Sequence, residues 1–272
     1  MTEIRTPFFP ETRSRASAID AGFRFGHVGT HSSRTMMFDE LVATLAAVPA
    51  SATAGEYSAA IIEDNCLGKQ TVANRRHSLQ HLRELYALDP TVPLFRVLSR
   101  LWAIDTQGRP LLALLTSLAR DPLLLGTAAV IVGLPDGAEF QRTIMRTSIG
   151  NAVGERLNDS TLEKVIRNIA SSWAQSGHLQ GRTFKIRRLV KATPTTMAFA
   201  LYLASAAGFH GPEILTSAWV RVLDCGTSNA LELTLEVKRI GLVDLRVAGD
   251  AFDLNLDRLD PRRSMEVAHG KN

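Results

Sequence analysis

Two pairs of histidines are the first residues whose type and spacing could do chemistry. His77 and His81 stand four residues apart on a predicted helix, and Cys66 lies near them in the sequence. Imidazole and thiolate groups at such a spacing can bind a metal ion. No second cysteine or pair of acids accompanies them, so a structural or phosphate-facing role is favoured. His27 and His31 repeat the spacing in an irregular segment, where coincidence suffices, and we predict neither a metal site nor a cofactor.

The usual signatures of several enzyme classes are absent. The sequence contains no Walker-type glycine-rich loop, no Gly-x-Ser-x-Gly elbow and no His-Glu-x-x-His helix. Asp253 and Asp257 lie in a predicted hairpin strand without partners suited to the metal ions of a nuclease. We therefore predict that the protein is not an enzyme.

Arginines are the other candidates, because their planar guanidinium groups suit phosphate. Basic residues number 31, of which 25 are arginine, although the formal net charge is only +4. Residues 65–120 contain eight basic against three acidic residues, and residues 140–191 contain ten against three. Residues 213–260 reverse the sign, with five basic against nine acidic. A chain with this distribution can present a basic face to DNA despite its modest total charge.

The first basic block has the layout of a helix-turn-helix. A short helix is predicted over residues 56–65, followed by a turn containing Gly68 and a longer helix over residues 71–88. An apolar stripe on the second helix is flanked by a polar edge, although Arg75 falls within the stripe. Contact with nucleic acid and a solvated helix face both stay open. The predicted DNA-binding residues of this unit are Lys69, Arg75, Arg76, Gln80 and Arg83.

The second basic block predicts a recognition helix followed by a wing. Ser160 and Glu163 form a Ser-x-x-Glu capping box ahead of an amphipathic helix. Phe184 and Ile186 then alternate with basic residues, so we expect the apolar pair to anchor a wing whose charges point outward to phosphates. A surface hairpin with merely solvated charges is the alternative. The predicted DNA-binding residues here are Lys164, Arg167, Arg182, Lys185, Arg187, Arg188 and Lys191.

The chain as a whole is predicted to be mostly α-helical. We expect an irregular N-terminal arm (1–33), a helical domain with the helix-turn-helix-like unit (34–134) and a helical domain with the winged-helix-like unit (135–260). The second domain closes with a β-hairpin that turns at Ala248-Gly249-Asp250, and a disordered tail (261–272) follows. The segment AAVIVGL has the composition of a short strand.

No membrane span and no secretory signal are expected. The most apolar stretch, Leu111 to Leu134, is interrupted near its middle by Arg120-Asp121-Pro122. The two cysteines are too few for a disulfide framework and are interpreted as reduced thiols, so we expect a cytoplasmic protein.

The order of elements resembles the BrxA-like family of small proteins from bacterial BREX phage-exclusion systems. The resemblance rests on three segments: IIEDNCLGKQTVANRRHSLQHLRELYALD, LNDSTLEKVIRNIASSWAQSGHLQG, and SAWVRVLD with the later LELTLEVKRIGLVDLRVAGDAFDLNL. The family implies helix-turn-helix or winged-helix modules, binding of double-stranded DNA and membership of a defence complex. Its fold has also been compared with an RNA-binding antitermination factor, which keeps RNA open as a ligand.

We therefore expect a non-catalytic protein that binds double-stranded DNA as an accessory of a phage-defence complex. Its expected partners are double-stranded DNA and other defence subunits, and homo-oligomerisation stays open. A protein-interaction scaffold or regulator is the main alternative, in which the basic patches meet acidic subunits. RNA binding is a third, although aromatic residues make up only 6% of the chain and no RNP-type aromatic signature is present.

Overall fold

The computed structural model describes residues 8–10, 15–26, 29–153, 158–248 and 251–261, and they form a mostly helical protein. Helices in the first half follow one another through short turns, and three have proline in their first turn, where its missing N–H costs nothing. Their bounds are α1 Ala16–Ala21, a 3₁₀ helix Thr30–Ser32, α2 Phe38–Ala47, α3 Ala54–Ile62, α4 Val72–Tyr86, α5 Pro93–Ile104, α6 Arg109–Arg120, α7 Pro122–Leu125 and α8 Ala128–Val132.

The second half adds two small antiparallel sheets to the helices. Its elements are α9 Arg142–Val153, α10 Asp159–Gln175, β1 Leu179–Gln180, β2 Ile186–Arg187, α11 Pro194–Ala206, a 3₁₀ helix Gly211–Thr216, α12 Ala218–Arg221, α13 Thr227–Arg239, β3 Asp244–Ala248 and β4 Ala251–Asn255. Strands β3 and β4 pair in the register Leu245 opposite Leu254 and Val247 opposite Phe252. The predicted C-terminal hairpin is therefore confirmed; Gly249 and Asp250 of its turn lie outside the described residues.

Helices α6 and α11 form the centre of the core. Almost every residue of both helices is buried, which fits their nearly uninterrupted apolar sequences. Helix α11 packs against α5, α6, α12 and α13, while α6 packs against α4, α5 and α10. A single apolar core therefore joins both halves, and the predicted boundary between 134 and 135 does not separate two cores.

Helix α6 belongs to the most apolar stretch of the chain, the one to be considered as a membrane span. Within the described ranges no single helix is long and apolar enough to cross a bilayer. The pair Arg109–Arg120 and Pro122–Val132 passes by length and composition, but its two parts are bent by 104° at the break that the sequence predicted.

The predicted irregular arm is corrected in its described part. It contains α1 and a 3₁₀ helix, and Phe23 and His31 are buried in the core. The rings of Phe8 and Phe23 pack edge-on against Trp219, whose indole N–H donates to the Phe8 carbonyl at 2.9 Å. The arm is therefore part of the fold. Beyond Pro261, the predicted tail lies outside the described residues.

Two local predictions are also corrected. The AAVIVGL segment forms helix α8 rather than a strand, because a fully apolar run does not by its period distinguish a buried helix from a buried strand. The cap of α10 is Asn158, whose side-chain oxygen accepts from the Thr161 N–H at 2.9 Å. Ser160 lies inside the first turn and donates to the same Asn158 oxygen, so the predicted capping box does not form.

Candidate nucleic-acid interface

A small sheet follows α10 and fixes the position of the wing, which is the loop Gly181–Lys185. Leu179 pairs with Arg187 and Gln180 with Ile186, and Ile186 also bridges to Glu139 in the segment before α9. Backbone N–H groups of Phe140 and Arg187 donate to Lys185 and Ala138, each at 2.8 Å. The wing is therefore bonded on both sides at its base.

Gly181 is required at the start of the wing. Its φ is +113°, and a Cβ built there would lie 2.0 Å from the carbonyl oxygen of Phe184. No other residue type fits, because side chains disfavour this φ and backbone fills the space. The Lys185 ammonium donates to the Gly181 carbonyl at 3.1 Å and closes the loop.

A groove of about 670 Å³ lies between the start of α9, the exposed side of α10 and the wing. We call it the basic groove. Four of its lining residues are cationic and one, Glu139, is acidic. It is lined by Glu139, Phe140, Gln141, Arg142, Thr143, Ile166, Arg167, Ala170, Arg182, Thr183, Phe184 and Lys185. Three predicted residues, Arg167, Arg182 and Lys185, therefore come together here.

Two acids of α10 near the groove are paired with an arginine that does not line it. Arg146 on α9 forms ion pairs with Asp159 and Glu163 of α10, the second at 2.8 Å. Within the described part of the chain, Arg142 and Arg167 make no ion pair or side-chain hydrogen bond, and the same holds for Arg182. Among the described lining residues, the groove thus presents four cations against one acid, Glu139.

Phe184 does not anchor the wing, contrary to expectation. Its side chain is 72% exposed at the edge of the basic groove, while Ile186 is half-buried. The apolar floor of the groove comes instead from Phe140, Ile166 and Ala170. The groove therefore combines an apolar floor, an exposed aromatic ring and a basic rim.

Arg187 is the clearest correction among the predicted DNA-binding residues. Its side chain is 0% exposed and forms an ion pair with Asp224, and its Nε donates to the Ile131 carbonyl at 2.9 Å. The other oxygen of Asp224 accepts from the Val190 N–H at 2.8 Å. The Arg187 side chain points inward because its position in β2 faces the core, where the Asp224 carboxylate pairs with it. It cannot contact phosphate.

The remaining residues of this unit lie on the surface outside the groove. Arg188 is exposed and its Nε donates to the Gln180 side chain at 2.9 Å. Lys164 and Lys191 are exposed as well. Their outward orientation agrees with the prediction, and they extend the positive surface around the groove.

The exposed face of α4 brings together three residues of the first predicted unit. Arg76, Gln80 and Arg83 line a shallow depression of about 360 Å³ with Leu79, Glu84 and Arg24, which the sequence did not single out. Two of them are engaged within the fold: Arg83 donates to Ser58 Oγ at 2.7 Å, and Gln80 donates to Glu84 at 3.2 Å. This face is less positive than the basic groove and lacks its depth.

Lys69 and Arg75 hold the turn between α3 and α4. The Lys69 ammonium pairs with Glu40 at 3.0 Å, and the Arg75 guanidinium donates to the carbonyls of Ile62 at 2.9 Å and Lys69 at 3.3 Å. The first of the two arginine bonds satisfies a carbonyl at the end of α3 that lacks a helical partner. Both residues therefore have partners within the fold, which explains why Arg75 falls within the apolar stripe, and their contact with DNA stays a prediction.

A Ser-His-Asp arrangement, absent from the sequence analysis, lies in the core. His31 Nδ1 is 2.8 Å from Asp121 Oδ2, and His31 Nε2 is 2.8 Å from Ser172 Oγ. Ser172 Oγ also accepts from the Met36 N–H at 2.8 Å. All three side chains are at most 1% exposed, so no substrate can reach the hydroxyl. The cluster joins the 3₁₀ helix Thr30–Ser32 to α7 and α10.

Asp121 is ionised within this cluster. Burial raises the pKa of its carboxyl, but the charge and hydrogen bonds of His31 and the backbone N–H of Leu124 outweigh burial and hold the pKa below its ordinary value. The same carboxylate caps α7 through the N–H groups of Leu123 and Leu124. These contacts make it a structural residue.

Among the described residues, no group of three or more histidines, cysteines or acids could hold a metal ion. His81 contacts Glu84 at 3.4 Å and Ser33 at 3.5 Å, while His77 is exposed.

No protein-family model matches this chain, and no curated protein matches its sequence.

Proposed function

We propose that the chain is a non-catalytic protein that binds double-stranded DNA through the basic groove, as a cytoplasmic accessory of a BREX-type phage-defence complex. The observation that carries DNA binding is the set of four cations around the groove, opposed by Glu139 alone among its described lining residues. The place in a defence complex comes from the sequence resemblance.

The order of elements around the groove supports a winged-helix interpretation. Helix α8 precedes the segment that bridges to β2, and α9, α10, β1, the wing and β2 follow. In such modules the second helix of the helix-turn-helix enters the major groove with its N-terminal residues. Lys164 and Arg167 are exposed on that part of α10, while its later turns are covered by the N-terminal arm.

The electrostatics of the groove suit the anionic phosphate groups of DNA. Guanidinium forks bind phosphate oxygens in a planar, bidentate geometry, and three of the four cations are arginines. Gln141, Arg142 and Thr143 line the groove at the start of α9, whose first backbone N–H groups lack partners within the helix and favour an anion. Phosphate contacts of this kind position a protein on DNA without reading its bases.

Protein scaffolding is a second candidate function, and the C-terminal region supplies the observation that favours it. Leu235, Ile240 and Val247 are large apolar residues exposed on α13 and the C-terminal hairpin, in the acidic part of the chain. Apolar residues of this kind form the centre of many protein interfaces. In that role the basic groove would meet an acidic subunit and bind free DNA poorly.

The test measures affinity for random duplex DNA by fluorescence anisotropy at several salt concentrations. We expect affinity to fall roughly tenfold or more between about 50 and 200 mM salt, because bound phosphates release counterions. The double variant Arg167→Gln, Arg182→Gln should bind more weakly on every sequence and reduce the salt slope by about two. Both side chains are exposed, so the fold should be unaffected.

Lys238→Gln with Arg239→Gln is the matched control, because it removes the same charge from exposed positions on α13. This control should retain the affinity and slope of the unaltered protein. Equal losses in both double variants would show that net charge is responsible and would reject the groove. Failure to bind duplex DNA at low salt, or tighter binding to RNA than to DNA, would reject the proposed function.

A further inference from the structure

We infer that the basic groove holds an unstacked nucleobase against Phe184, so that the protein prefers duplex DNA carrying an unpaired nucleotide to fully paired duplex. This inference rests on the proposed DNA binding and adds which DNA structure is selected. The observation that supports it is that the Phe184 ring is exposed to solvent at the edge of the basic groove, which is concave and partly apolar.

Phe184 is held in this exposed position by the loop that carries it. Gly181 starts the wing with a backbone that only glycine adopts there, and the Lys185 ammonium closes the loop onto the Gly181 carbonyl. Within the described part of the chain no other aromatic ring packs against Phe184. Leaving a phenyl ring in water forfeits the free energy that its burial would supply, so a ligand that covers the ring would recover it.

The groove beside the ring has the two surfaces that a nucleotide needs. Its floor of Phe140, Ile166 and Ala170 is apolar and matches the flat face of a base. Its rim of arginines and Lys185 matches the phosphate that follows the base along the strand. The volume of about 670 Å³ lies within the range typical of small-molecule sites, so the groove has room for a base with its sugar.

Only an unpaired base can use this site. A base inside a duplex is stacked and paired, so a protein must first extrude that base from the duplex before it can surround the base. A bulged nucleotide is already free of its partner, so its stacking on an aromatic ring adds affinity without that cost. The alternative, in which Phe184 is a wedge between two base pairs, leaves the concave groove without a role.

The experiment compares three DNAs of one sequence: paired duplex, duplex with a single bulged nucleotide, and duplex with an abasic bulge. The abasic bulge has the same flexibility but no base. We expect the bulged nucleotide to be bound about tenfold more tightly than the abasic bulge, the effect expected of stacking one base on an aromatic ring.

Phe184→Ala should abolish this difference, and Phe184→Trp should keep it. Leu189→Ala is the matched control, because Leu189 is a large exposed apolar residue just after β2 that does not line the groove. It should retain the preference. All variants alter exposed side chains, and urea unfolding confirms equal stability before binding is measured.

The outcomes separate the inference from the proposed function. Salt-dependent binding to paired duplex with equal affinity for the two bulges would overturn the inference and leave DNA binding in place. A Phe184→Ala variant that loses affinity equally for all three DNAs would also overturn it and identify a general wedge. No binding to any of the DNAs would overturn the proposed function itself.

Discussion

His178 is a buried histidine that the fold keeps neutral. Its Nδ1 accepts from the Ser176 hydroxyl at 2.8 Å, and its Nε2–H donates to the Val222 carbonyl at 2.7 Å. Burial lowers the pKa of the imidazole to about 4, although the Val222 carbonyl and Asp224 oppose that change. The ring also packs edge-on against Trp173, so a charge there would lie among apolar groups.

This pKa predicts a loss of stability in mild acid. Between pH 6.5 and about 4 the unfolded chain holds a proton on His178 and the folded chain does not, so stability rises with pH across that window. The free energy of unfolding should therefore fall by roughly 2 to 3 kcal/mol between about pH 7.5 and 4.5.

Urea unfolding at several pH values checks this prediction. His178→Gln retains one donor and one acceptor but does not titrate. On acidification over the same pH range, the free energy of unfolding of this variant should therefore fall by about 2 kcal/mol less than that of the unaltered protein. Parallel pH profiles for the two proteins would contradict the prediction.

Among the helices, α10 shows how a cap decides where an element begins. Four consecutive residues from Asn158 to Thr161 are of capping type, and the chain uses the first. Asn158 has an extended backbone at ψ +161°, the conformation of a cap residue, and its side chain bonds the Thr161 N–H. Helix α10 therefore starts one residue before the predicted capping serine.

Cap substitutions test this assignment. Asn158→Ala should destabilise the protein by about 1 kcal/mol, because an N–H in the first turn of α10 loses its acceptor. Ser160→Ala should cost under about 0.5 kcal/mol, since an exposed serine within the first turn contributes little. Chemical denaturation of both variants measures the difference, and a larger loss for Ser160→Ala would restore the capping box.

For the whole molecule, the N-terminal arm and the C-terminal end both close the helical core. The buried ring of His31 joins α7 to α10, and Arg120 donates to the Gly22 carbonyl at the end of α1. At the other terminus, Arg96 on α5 binds both oxygens of Asp260, at 2.9 Å and 2.8 Å. Segments distant in sequence therefore share one core, and removing either should affect the whole.

Two truncations test the role of the arm. Removing residues 1–14 deletes Phe8 and Phe9 and exposes part of Trp219, so we expect a lower Tm with unfolding still cooperative. Removing residues 1–33 also deletes His31 and leaves the buried Asp121 carboxylate without the hydrogen bonds of the His31 ring and backbone N–H, a loss of roughly 1 to 3 kcal/mol before apolar packing is counted. Thermal unfolding followed by tryptophan fluorescence should then show no cooperative transition. A cooperative transition at an unchanged Tm would show that the arm is dispensable.

The sequence by itself determined the helical class, most helix positions and the C-terminal hairpin. Helical spacing and strand alternation depend on neighbours a few residues away, so the pattern is readable along the chain. The breaks at Leu88-Asp89-Pro90 and at Arg120-Asp121-Pro122 were readable for the same reason, since proline limits the residue before it. Arg167, Arg182 and Lys185 were identified as candidate DNA-binding cations in this way, and of these Arg167 and Arg182 are exposed.

Only the tertiary structure decided which cations are free and which aromatic ring is exposed. Arg187 and Arg188 are adjacent and of one type, yet one is buried on Asp224 and the other is in solvent. The partner of Arg187 stands 37 residues away, and Asp121 stands 90 residues from His31. Such pairs form only when packing brings distant segments together, because a buried charge is tolerated only with a partner in place. The spacing of residues along the chain contains no information about that partner. It therefore could not distinguish an arginine that binds phosphate from an arginine that is buried in an ion pair.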